Sequence, residues 1–483
     1  MITRLLTLLL LLAAHAGVQA TELDGEKLQL TFSDSGSVLA ARACYPDCNS
    51  QERQSVEYAG NTPLIEFAGP DSGWRRERRD TEGQTTLRFI HDEQGLSRSY
   101  TLGQDGYNIG LEFQGNNGSM TIQSGNGLQP PDSPGFGKLL EQLRYQYFSA
   151  GDGVFRMGLD EEPEDRPPLA DTGWFGFRNR YWSMMVQADV TVTPAFVTGA
   201  EVSNAGLRLD ELPSAVSLQV YIGPVEPGAL ERADPQLRDT MFAGLWFWLR
   251  WICFGLYALL GWIAAVIPNW GLAIIALSLV VKVLMIPLNR IADHFQHQVQ
   301  EIQAKLEPRL YKIKKQYKGA EQSEQILALH KEFGVTPLYS LKSLFGVMVL
   351  IPVFIGAFDM LAENIHLAGT SFLWVSDLAR PDAVMRLPFT LPFFGGQLNL
   401  LPFLMTALSV ATSYLHNPPA LTPEMHKRQY RNLVIMAIAF FLLFYTFPAG
   451  MVLYWTTNNL ISVIKDLWGL RHDGANAKQD EQS

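Results

Sequence analysis

The sequence predicts a two-part protein, a periplasmic antiparallel β-sandwich followed by an α-helical membrane core of five spans with a cytoplasmic helical hairpin. Three observations carry this reading. The 483 residues divide unevenly in charge: residues 21–240 hold 18 Lys and Arg against 33 Asp and Glu, whereas the remainder holds 20 against 15. The acidic half alternates apolar and polar residues with period two, the pattern of half-buried strands. Beyond Met241 the apolar runs approach the ~20 residues that a bilayer core of ~30 Å requires.

Taken in order, residues 1–20 carry Arg4, an apolar run from Leu5 to Ala14 and small residues at Val18 and Ala20. That is the pattern of a cleaved signal peptide, and the run is short for a span; an uncleaved signal anchor is the alternative. Residues 21–240 then form the exported domain. Runs such as Thr86-Leu87-Arg88-Phe89-Ile90 and Ser217-Leu218-Gln219-Val220-Tyr221 lie between Gly, Asn, Asp and Pro punctuation, which marks strands joined by turns. The acidic stretch 158–172 reads as a solvated loop. Cys44 and Cys48 lie in an exported region that permits a disulfide, and the sequence equally admits two free thiols. Cys253, in an apolar stretch, reads as a small hydrophobe.

In the second half, the apolar runs are 243–267, 271–288, 343–361, 398–415, 432–447 and 450–468. Residues 289–342 contain nine Lys and Arg, while 359–400 contain only Arg380 and Arg386. By the positive-inside rule the first loop faces the cytoplasm and the second does not. An exported β domain therefore leaves room for one crossing before the basic loop. The run 243–267 carries Trp246, Trp248, Trp251, Trp262 and Arg250, so it is expected to lie in the outer interface, where indole rings are favoured. The other five runs are the predicted spans. Residues 290–334 are expected to form the hairpin, interrupted at Pro308, with Ile302, Leu306, Leu310, Ile313 and Tyr317 as its packing stripe. The tail 469–483 is placed in the cytoplasm.

Lys282 lies inside the first predicted span, ~9 Å from its cytoplasmic end at 1.5 Å per residue. A lysine at bilayer centre is unfavourable by about 2.5–3.5 kcal/mol on insertion scales, which points to a wet cavity; snorkelling towards the headgroups is the alternative. Ser278 lies one turn away. The last span contributes Thr456, Thr457, Asn458, Asn459 and Ser462, and the third Thr406, Ser409, Thr412 and Ser413. A shared polar groove with one cation is the expected result, able to receive a polar segment of another chain.

The motifs Asn269-Trp270-Gly271, Val281-Lys282 with Met285-Ile286-Pro287-Leu288, and Phe447-Pro448-Ala449-Gly450-Met451-Val452-Leu453-Tyr454-Trp455 resemble the first and last core spans of the YidC/Oxa/Alb membrane-protein insertases. Leu350-Ile351-Pro352-Val353-Phe354 and Phe372-Leu373-Trp374-Val375-Ser376-Asp377-Leu378 match between them, so the likeness covers residues 240–470. Val220-Tyr221-Ile222-Gly223-Pro224 is similar to a segment of the family's periplasmic domain. The resemblance implies an inner-membrane insertase and chaperone whose substrate groove includes Lys282, Ser278 and Trp455; Tyr454, Asn458 and Asn459 of the last span are expected to line it with them. It implies nascent integral membrane proteins and the lipid bilayer as partners, with the ribosome and the Sec translocon as further candidates. Lys282 stands where the family has arginine, which keeps the charge but loses the planar fork. Together with the signal peptide in place of a first anchor, this suggests a divergent paralogue.

No catalytic triad, metal cluster or phosphate loop is evident, so no enzyme activity, cofactor, metal or direct nucleic-acid partner is expected. The rival reading is an envelope assembly scaffold that uses the β-sandwich as a binding module.

Overall fold

The computed structural model describes residues 21–50, 54–115, 118–149, 153–158, 171–197, 204–336, 341–416 and 423–480. The predicted signal peptide, most of the acidic stretch 158–172 and residues 481–483 lie outside the described residues. The chain forms two compact units, 1–132 with 139–244 and 133–138 with 245–483.

In the first unit, two antiparallel sheets of eight and nine strands stack face to face. Their strands bury alternate residues, as in Leu28–Phe32, where Leu28, Leu30 and Phe32 point inward. The contact between sheets is aromatic. Phe32 of one sheet meets Phe89 and Tyr100 of the other at 5.6 and 4.7 Å, and Phe67 stacks on Phe113 at 5.2 Å. Leu87 pairs with Tyr100 in the strand register. Tyr58 donates across the layers to the Ser183 carbonyl at 3.2 Å. Cys44 and Cys48 are joined as a disulfide, with Cα atoms 5.0 Å apart.

The helices are α1 (Pro227–Ala233) in the first unit, then α2 (Phe247–Val266), α3 (Trp270–Leu284), α4 (Ile286–Gln316), α5 (Gly319–Glu332), α6 (Leu341–Ala362), α7 (Leu401–His416), α8 (Pro423–Phe444) and α9 (Ala449–Asp480). Three details differ from the sequence reading. The predicted span 271–288 breaks at Met285, where α3 and the start of α4 meet at 54°; Pro287 in the first turn of α4 lacks the N–H that would continue the ladder and crowds the preceding turn. Pro308, expected to interrupt the hairpin, lies inside α4, and the chain turns instead between α4 and α5 at Tyr317 and Lys318. There Leu306 and Leu310 pack on Leu329, with Ile302, Ile313, Ile326 and Phe333 around them. Finally, α9 continues as helix to Asp480, through the segment read as a tail.

Among the described residues α2 is long and apolar enough to cross a membrane unaided, and the bent pair Trp270–Leu284 with Ile286–Ala292 adds a second candidate. Ile351–Ala362, Leu401–Leu415 and Tyr430–Phe444 are apolar but shorter. The length and composition of α2 fit a crossing as well as the interfacial placement. The exposed surface separates the two units more sharply. Among the described residues Leu139 is the one exposed large hydrophobic of the first unit, whereas the second exposes Trp251, Leu279, Ile435, Ile438, Ile464 and many others. Such apolar cover suits contact with lipid rather than water.

The segment from Glu363 to Leu400 organises one end of the bundle. Asp382, buried, accepts from the backbone N–H groups of Leu400 (2.7 Å) and Leu401 (3.0 Å) and from the Trp374 indole (3.2 Å). It thereby satisfies donors left free at the start of α7. Asp382→Ala removes the acceptor of three donors, of which the Leu401 N–H is buried and the other two part-buried, and is expected to lower stability by about 1–2 kcal/mol, read as a reduced melting temperature of the purified protein; an unchanged value would remove Asp382 from this role.

Candidate site beside Lys282

Asn269 caps α3, accepting from the Leu272 N–H at 3.0 Å. In the same first turn Gly271 lies against Phe372: a Cβ there would fall 2.1 Å from the ring. The start of α9 is held by the same loop, since the Ala449 N–H donates to the Arg380 carbonyl (2.7 Å) and the Gly450 N–H to that of Leu378 (2.8 Å). A Cβ on Gly450 would meet the Leu378 oxygen at 3.1 Å and Ile274 Cδ1 at 3.4 Å. One loop thus fixes both helices at the same end, and they run parallel. Ile274 faces Gly450, Ser278 faces Tyr454 and Lys282 faces Asn458, one turn further each time.

Along this seam the polar groups pair stepwise. Ser278 Oγ donates to the Ile274 carbonyl at 3.0 Å and approaches the Tyr454 carbonyl at 3.2 Å. Lys282 Nζ donates to the Asn458 carbonyl at 2.8 Å and to Ser462 Oγ; Ser462 Oγ donates in turn to Asn458 at 3.1 Å. The ammonium turns inward onto α9 instead of snorkelling along its own helix. It has three hydrogens, and these two contacts occupy two of them.

The six residues singled out in the sequence do not share one surface. Ser278 and Tyr454 are buried between α3 and α9, whereas Lys282 and Asn458 are half-buried at the edge of that contact. Asn459 faces α7, donating to Ser409 Oγ at 2.6 Å and towards the Met405 carbonyl at 3.3 Å. Trp455 is held between Phe354 at 4.1 Å and Phe444 at 5.4 Å. Since Phe358 meets Phe447 at 5.5 Å, α6 runs antiparallel to α9. The backbone carbonyl of Asn458 as partner of Lys282 is invisible to sequence reading. Ser462 was legible as one of the polar groups on the last span.

The description "60Kd inner membrane protein" fits the family model that matches residues 262–475. Proteins named membrane protein insertase YidC are similar to this chain: that of Syntrophobacter fumaroxidans is 33% identical over 261 residues, covering 53% of this chain and 44% of the relative. That of Ralstonia nicotianae is 27% identical over 429 residues, covering 82% and 71%, and one from Helicobacter pylori is 30% identical, covering 64% and 52%. The chain thus spans about half the length of some of the relatives it matches. A crystal structure of an active YidC insertase aligns over 96% of this chain and 99% of its own, at 17% identity and a TM-score of 0.35, too loose a superposition to bear on the fold. From residue 262 to residue 475 the chain is thus similar to the 60Kd inner membrane proteins, and over longer stretches to proteins named membrane protein insertase YidC.

Proposed function

We propose that this chain is a membrane protein insertase and chaperone, with five spans formed by α3, α6, α7, α8 and α9, α2 in the outer interface and the β-sandwich in the periplasm. The reading of the spans is supported by helix direction: α3 and α9 are parallel and α6 opposes them, the alternation that an exported first unit and a cytoplasmic basic hairpin demand. Clients are nascent integral membrane proteins; the ribosome and the Sec translocon are candidate partners on the hairpin side.

The observation that carries the function is the inward-turned ammonium of Lys282 in a bundle clad with exposed apolar side chains. Two carbonyl or hydroxyl acceptors offset part of the unfavourable energy of a cation within a low-dielectric slab. The remaining N–H is available to a visiting carboxylate or carbonyl. A client's polar end pauses there while its apolar segment slides along the outside of the helices into lipid, so the desolvation barrier is divided and no covalent step is needed.

Photo-crosslinkers introduced at positions 282 and 455 test this. Adducts with a stalled nascent membrane protein are expected at both, and labelling at exposed Ile435 on α8 should be weaker. Equal labelling at all three, or none at 282, would remove the site.

A further inference from the structure

We propose that the β-hairpin Met385–Leu391 with Gly395–Leu398 is an interfacial anchor that dips into the outer lipid leaflet beside α7 and α8. This rests on the reading of the bundle as membrane-embedded. The hairpin has an apolar sequence, Met385, Leu387, Phe389 and Leu391 alternating with Arg386, Pro388 and Thr390. Three of these four apolar side chains are bare, Met385 at 52%, Phe389 at 58% and Leu391 at 40% exposed, while Leu387 is half-buried. A short two-stranded ribbon in water does not ordinarily display so much apolar surface.

Three observations name lipid as the occupant. The hairpin lies flat across helix ends, because its base and its tip are both tied to the same turn: Asn399 Nδ2 donates to the Tyr445 carbonyl at 2.7 Å, the Tyr445 hydroxyl to the Gln397 carbonyl at 2.9 Å, and Phe394 packs on Tyr445 at 4.9 Å. Exposed apolar side chains follow it directly at Leu400, Phe403 and Leu404 at the start of α7, and α8, whose end packs on the hairpin through Phe441 and Tyr445, exposes Ile435 and Ile438. The charge is also compatible with anionic headgroups: residues 383–400 contain Arg386 and no Asp or Glu, while Arg380 before them is exposed but paired with Asp377 at 3.5 Å, so Arg386 is the guanidinium placed to meet phosphate while its neighbours enter the acyl boundary. Residues 133–138 brace the hairpin, with Phe136 edge-on to Phe393 at 5.0 Å and Gly135 so close to the Phe393 carbonyl that a Cβ would lie 2.7 Å away. The hairpin is therefore a braced ledge rather than a free loop.

The test is spin-label depth measurement on the full-length protein with Cys253→Ala, carrying Phe389→Cys or Leu391→Cys, in vesicles of phosphatidylethanolamine and phosphatidylglycerol. Ile435→Cys serves as lipid reference and Lys315→Cys as aqueous reference. Collisions with oxygen are expected to exceed those with a water-soluble nickel chelate at 389 and 391, as at 435, with the reverse at 315. If 389 and 391 behave like 315 while 435 reports lipid, the anchor is wrong and the membrane reading survives. If 435 is aqueous as well, the membrane reading fails with it. Protection at 389 that vanishes on diluting protein into excess lipid would identify a second copy as the occupant and overturn the proposal.

Discussion

Lys282→Ala is expected to reduce the insertion of a client with a polar leading segment at least tenfold, with the protein still made and folded. The scale follows from the chemistry: a hydrogen bond to a charged group is worth about 1.5–3 kcal/mol, and about 1.4 kcal/mol corresponds to a factor of ten. Folding should survive because Ser462 Oγ still donates to the Asn458 carbonyl at 3.1 Å, so the truncation strands no buried donor on α9. Lys282→Arg should retain most activity, since the charge and several donors remain, whereas Lys282→Met should match the alanine variant despite its similar bulk. Insertion measured as protease protection of a small client in depleted cells separates these outcomes. Full activity of both Ala and Met variants would favour the scaffold reading, in which the helices only anchor the β-sandwich.

A second large effect is expected at the loop that sets the helix register. Gly271→Ala places a methyl carbon 2.1 Å from Cγ and 2.7 Å from Cβ of Phe372. These atoms lie near the backbone and cannot swing aside as the end of a long side chain would, so either Phe372 or the first turn of α3 must move. Overpacking of this kind typically destabilises by about 1–3 kcal/mol. Phe372→Ala, which empties a buried position, should destabilise as well, yet the double variant should be more stable than the sum of the two losses, because the methyl then occupies vacated space. Melting temperatures of the four proteins in detergent measure this coupling. Strict additivity would mean that the contact does not position α3.

The sequence made the architecture legible where a physical pattern repeats. Alternation in Leu28–Phe32 or Gln84–His91 follows from the two faces of a strand, and runs such as 271–284 carry the apolar composition that a helix facing lipid would need. The site was legible in part for the same reason: Ser278 with Lys282, and Tyr454 with Asn458 and Ser462, are spaced by one turn, which places each set on one helix face. Which faces meet is a different matter. Asn459 and Trp455 adjoin Asn458 and Tyr454 in the chain, yet rotation of about 100° per residue turns them to α7 and to the aromatic cluster. The decisive partner of the ammonium is a main-chain oxygen, which no residue type advertises.

The ledge at 385–398 and its brace at 133–138 escaped for another reason. Both depend on contacts between distant parts of the chain, such as the Gly137 N–H with Thr446 Oγ1 at 3.0 Å. The proline-rich stretch around Phe389 has the punctuation of a loop and too little length to read as a strand pair.

The unbroken course of α4 also sets a distance. Thirty-one residues at 1.5 Å each make a rod of about 46 Å from the kink at Met285 to the tip of the hairpin. On the proposed function, a client first held at that tip would have to bridge this gap before it reached the ammonium, and a fully stretched chain covers at most about 3.5 Å per residue. Roughly fourteen residues is then the shortest leader that can touch both places at once, so shorter ones must let go of the first before they find the second.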